Sequence, residues 1–142
     1  MDLLLILRDA LASSFVGSLL TAIRARQDGS EVAVLVTQEA LAALARGSLA
    51  WPRELSGQEN RWTLADRGAE LGVPVSARGE GRQLDARRLT LQARDAGVVL
   101  YACPIWVSLL DLDGELPEGL SGLEPAALID LLRTAKAVIG TL

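Results

Sequence analysis

Three runs constrain this chain more than anything else in it: Leu3-Leu4-Leu5-Ile6-Leu7, Val32-Ala33-Val34-Leu35-Val36 and Val98-Val99-Leu100-Tyr101-Ala102. Each has the length of an ordinary strand and is apolar without alternation. A strand with one wet face alternates apolar and polar residues. A continuous run means that both faces are covered, as in a parallel sheet held between helices. The intervening stretches carry the matching helical pattern. Ser13 and Ser14 offer an N-cap, and Val16, Leu19, Leu20 and Ile23 follow at helical spacing up to Asp28-Gly29. Thr37 can cap a second helix carrying Ala40, Leu41 and Leu44, which Gly47 stops.

Residues 48–60 are irregular and read as a loop with room for one helical turn. Asn60 or Thr63 starts a third helix through Leu71, closed by Gly72. Val73-Pro74-Val75-Ser76 reads as a short strand, and its proline, which donates no ladder hydrogen bond, puts it at a sheet edge. Residues 78–82 form a loop. Asp85 caps a helix with Leu89, Ala93 and Ala96, ended by Gly97. Pro125 suits the first turn of a last helix with Leu128, Ile129 and Leu132, and residues 137–140 make a final short strand. This alternation, without internal repeats, predicts a single domain over residues 1–142. Its expected fold is a three-layer α/β/α sandwich with a mainly parallel sheet of about five strands, right-handed crossovers and Val98–Ala102 at the centre.

Composition excludes several kinds of chemistry. The chain has no histidine and one cysteine, so Ser-His-Asp and Cys-His catalysis, histidine metal sites, thiolate clusters and internal disulfides are all out of reach. No metal or organic cofactor is expected. The net charge is −4 with no basic block, which argues against nucleic acid as a partner. The apolar opening lacks a basic region before it and is too short for a signal peptide, and no run approaches a membrane span. A lone thiol fits a cytoplasmic location.

That thiol is the most informative residue. Cys103 ends the run Val98–Ala102, and ligands of open α/β sheets gather at the carboxyl ends of strands. Pro104 suits the first position of a helix, which puts Cys103 at its N-cap, facing free N–H groups and the positive end of the helix dipole. Acidic residues work against a charged sulfur: Asp111, Asp113, Glu115, Glu118, Glu124 and Asp130 follow, with no Lys or Arg before Arg133. Free cysteine is also among the most buried residue types, so packing is the competing role. Trp106, three residues on, lines either a core or a pocket. Asp9, Ser13 and Ser14, at the end of the first strand, are candidates for an anion site. With Pro104 and Trp106 they complete the ligand-pocket candidates.

The stretch Ala96-Gly97-Val98-Val99-Leu100-Tyr101-Ala102-Cys103 and the ending Ala126 to Ile139 resemble the DsrE/DsrF-like family of small sulfur-handling proteins. The likeness extends to the Leu-rich first strand, the long first helix and the stretch Val32–Gly47. It implies a five-stranded α/β/α fold, assembly as a trimer or hexamer, and a catalytic cysteine at the position of Cys103. Such a cysteine takes sulfur from a donor protein as a persulfide and passes it to an acceptor. Two departures stand out. Pro104 replaces a frequent glycine, and Ser108-Leu109-Leu110-Asp111 replaces a basic stretch. Some relatives lack the cysteine, so the alternative is a non-catalytic oligomeric binding or scaffold module in which Cys103 is structural.

Overall fold

In the computed structural model, residues 1–76 and 83–140 are described. Four strands, β1 (Leu3–Leu7), β2 (Val32–Val36), β5 (Val99–Ala102) and β6 (Ala137–Ile139), form an all-parallel sheet in the order β5-β2-β1-β6. The three apolar runs take three of these places. In register, Leu7 pairs with Val36 and Val36 with Ala102, so the carboxyl ends of β1, β2 and β5 are level.

Helices cover both faces, as the continuous apolar runs require. On one face, Phe15, Leu19 and Ala22 of α1 (Ala12–Gln27), Ala40 and Leu41 of α2 (Gln38–Arg46), and Leu89 and Ala93 of α4 (Ala86–Asp95) pack on Leu5, Leu7, Val34, Val36, Leu100 and Ala102. On the other, Leu128 of α6 (Pro125–Thr134) packs on Leu4, Ala33, Leu35 and Cys103. The chain moves from β1 to β2 to β5 with its helices on the first face, then returns past them to β6 with α6 on the second. One handedness of crossover demands that change of face.

Several expectations need correction. The sheet has four strands rather than about five. Val75–Ser76 (β3) does not join its edge but pairs antiparallel with Gln83–Leu84 (β4) in a separate hairpin. The backbone there is satisfied locally: Val73 N donates to Gly68 O at 2.7 Å and Val75 N to Val73 O at 2.9 Å. Nor is β5 central. It lies at one end of the sheet, with Val99 43% exposed. A single parallel bridge to Ser121 takes its outer edge: Ser121 N donates to Leu100 O at 2.8 Å and Ala102 N to Ser121 O at 2.9 Å. The bridge is confined to that one residue, between Leu120 and Gly122.

A further correction concerns α1, whose N-cap is Leu11, so Ser13 and Ser14 lie inside the helix and cap nothing. The third helix, α3 (Gln58–Leu71), begins before Asn60, after a 3-10 turn at Arg53–Leu55. Other local signals hold. Asp85 caps α4 by accepting from Arg88 N at 2.9 Å, Pro104 and Pro125 sit at helix starts, and Gly72 closes α3 at φ 74°. The loop expected at 78–82 lies outside the described residues.

Candidate functional site around Cys103

The chain leaves β5 at Ala102 and turns at once into α5 (Pro104–Leu109), with Cys103 as its N-cap at φ −62°, ψ 121°. Cys103 N donates to Val36 O at 2.9 Å, which extends the β2–β5 ladder by one residue. Pro104 has no N–H, and Val107 N donates to Cys103 O at 2.9 Å. Among the described residues the N–H groups of Ile105 and Trp106 have no backbone partner, as at any helix start. The helix is only six residues long, so its dipole is small.

The side chain of Cys103 is 5% exposed. It sits among Leu4, Ala33, Leu35 and Leu128, with Trp106, Tyr101 and Leu123 packed against the same cluster. A neutral thiol is at home there. A charged sulfur is not, unless donors reach it.

The structure divides the pocket candidates into two groups. Cys103, Pro104 and Trp106 are together at the head of α5. Ser13 and Ser14 belong to α1, which packs on the opposite face, and Ser14 is buried. Asp9 turns back on its own loop, accepting from Leu11 N at 3.2 Å. Among the described residues nothing joins that group to Cys103.

The register also adds neighbours that the spacing in the sequence hides. Thr37 follows β2 as Cys103 follows β5, and Thr37 N donates to Leu7 O at 2.9 Å. Gln38 then takes φ 53°, a left-handed conformation that a residue with a side chain rarely adopts. It sits at the turn from β2 into α2, one residue beyond the row that holds Cys103. Beyond α5, the exposed carboxylates Asp113 and Glu124 line a cavity of about 560 Å³ with Pro104, Val107 and Leu116. No group of three or more His, Cys, Asp or Glu among the described residues is placed to hold a metal ion. No helix among them is long and apolar enough to cross a membrane.

The four-stranded parallel sheet between helices is a three-layer α/β/α fold. This fold is similar to that in the crystal structure of the YchN protein from E. coli, with a TM-score of 0.60 over 99% of both chains at 16% sequence identity. No family model matches the chain, and no curated protein matches it in sequence.

Proposed function

We propose that the protein is a sulfur carrier working through Cys103. In the transfer, the Cys103 thiolate attacks the outer sulfur of a donor persulfide. A new S–S bond forms to Cys103, the donor S–S bond breaks, and the donor leaves as its thiolate with the bonding electron pair. An acceptor thiolate then repeats the attack on the outer sulfur and regenerates Cys103. No redox partner is needed, because one S–S bond replaces another. The observation that supports this reading is the placement of the only cysteine at the strand end, heading α5, in a DsrE-like fold.

The test is mass spectrometry of the native protein after incubation with a persulfide donor. A gain of one sulfur atom, absent in Cys103→Ser, is the expected result. Absence of the adduct with several donors sinks the carrier reading.

The 5% exposure of Cys103 favours a second reading, a non-catalytic module in which the thiol is packing. Under either reading the protein assembles with copies of itself. The apolar side chains left outside support this: Val99, Ile105, Leu109, Ile129, Leu132 and Val138 are each between 38% and 67% exposed. A cytoplasmic location suits a carrier that must keep its thiol reduced.

A further inference from the structure

The two faces of the sheet are covered unequally. Three helices, α1, α2 and α4, pack on the face of Leu5, Leu7, Val34 and Val36. Among the described residues the face of Leu4, Ala33 and Leu35 has one helix of comparable length, α6, of which only Leu128 is buried. A helix is about 10 Å across, whereas four strands span roughly 14 Å between the outer backbones. One helix therefore leaves both margins of this face open. Residues paired directly across a sheet point to the same side. Val138 pairs with Leu4 and Val99 with Ala33, so both belong to the α6 face, and they are 44% and 43% exposed. Over β1 and β2, which lie between them, Ile129 and Leu132 stand outward on one stripe of α6, at i and i+3.

The same surface carries an ion pair that is not made. Asp130 and Arg133 are exposed and three residues apart on α6. At that spacing Arg67 and Glu70 of α3 do bridge, at 3.0 Å. Among the described residues Asp130 and Arg133 bridge neither each other nor any other charged group. Glu124, the N-cap of α6, is also exposed and unpaired among them. Helix α6 thus begins acidic and ends basic. A second α6 laid antiparallel about a two-fold axis sets unlike charges together at both ends and opposes the two helix dipoles. A parallel neighbour would set like against like.

We infer that the α6 face is a two-fold interface between copies of this chain. Ile129 and Leu132 pack against the second copy, which also covers the margins at Val99 and Val138. Asp130 of one protomer pairs with Arg133 of the partner subunit, and the two-fold axis repeats that pair. An apolar surface that carries both signs of charge in self-complementary order fits a second copy of itself better than a partner of one charge. This interface rests on the self-assembly reading and is independent of sulfur transfer, since Cys103 takes no part in it.

The experiment is analytical ultracentrifugation of the full chain over a range of concentrations, compared with Asp130→Arg, Arg133→Asp and the double variant that exchanges the two charges. Each single variant opposes like charges at two places in the dimer and should raise the dissociation constant of the two-fold step by about tenfold or more. The double variant remakes both pairs with the signs reversed and should return the constant to near that of the wild type. Net charge, −4 in the wild type, becomes less negative in Asp130→Arg and more negative in Arg133→Asp. A non-specific charge effect would therefore act oppositely in the two. Opposite effects in the single variants overturn the proposal, as does a double variant no tighter than the single ones. An oligomer unchanged in all three variants overturns it too and puts the contact on another face. A trimer with no dimer or hexamer has no two-fold axis and does the same. A wild type that is a strict monomer overturns self-assembly together with this interface and leaves the α6 face to a protein of another kind. Both positions are on the solvent side of α6, and thermal unfolding of each variant establishes that it folds.

Discussion

Lys136 Nζ lies 2.6 Å from Asp2 Oδ1 and ties the start of β6 to the start of β1 across 134 residues of chain. Lys136 is the only lysine in the protein. The other Asp2 carboxylate oxygen accepts from Glu31 N at 2.8 Å, so one side chain clamps the amino ends of β6, β1 and β2. The backbone runs parallel to this clamp, with Ala137 N donating to Asp2 O at 3.1 Å.

The clamp sets a pH dependence. The bond from Lys136, then that from the Glu31 N–H, holds the Asp2 carboxyl below its ordinary 3.8. The same bond to Asp2 raises Lys136 above 10.5. The Asp2 contribution is therefore complete above pH 3.8 and is lost as pH falls through its lowered folded-state value. The Lys136 contribution is complete below pH 10.5 and is lost as pH rises through its raised value. Asp2→Asn should be less stable than the wild type between these limits, and the gap should close in strong acid. Urea unfolding across pH measures it. Because the pair faces solvent, with Lys136 77% and Asp2 40% exposed, the gap should shrink in high salt.

Trp106 is the side chain most directly placed to shield Cys103, since it packs against both core clusters from within α5. Trp106→Ala should speed native alkylation of Cys103 by on the order of tenfold, the factor that ~1.4 kcal/mol of lost local cover gives. An unchanged rate in the variant would show that the thiol is reached by another route.

Phe15 is fully buried in the larger core, between α1 and the sheet. Phe15→Ala should cost about 3–5 kcal/mol in chemical denaturation. Trp62, 55% exposed on α3, is the contrast. Trp62→Ala should change stability by no more than about 0.5 kcal/mol, because size matters only where removal leaves a cavity.

The thin cover of the α6 face leads to the assembly prediction. Ile129 and Leu132 of α6 and Val99 of β5 are exposed apolar residues. Sedimentation velocity should show an oligomer at micromolar concentration, and Ile129→Glu should shift it toward monomer. A strict monomer in the wild type would overturn self-assembly.

The positions of β1, β2 and β5 could be read directly from the sequence, because five apolar residues in a row have few stable homes outside a covered sheet. Asp85, Gly72, Pro104 and Pro125 were legible for a similar reason: a cap, a left-handed turn or a fixed φ is a local requirement that one residue type meets. Strand order and pairing were not local in this sense. Val73–Ser76 has strand composition, but its backbone groups found nearer partners than the sheet. Ser121 has none, yet it lies where β5 has open hydrogen bonds. The strand-end cysteine was visible in the sequence, and its 5% exposure was not. Burial depends on what α5 and α6 bring over it from elsewhere in the chain. Most of all, Thr37 stands 66 residues before Cys103 with no shared motif, and only the register Val36–Ala102 makes them neighbours. The sequence by itself determined that a parallel α/β sandwich would carry a thiol at a strand end. The tertiary structure decided what surrounds that thiol, because its neighbours come from strand pairing and helix packing between distant segments.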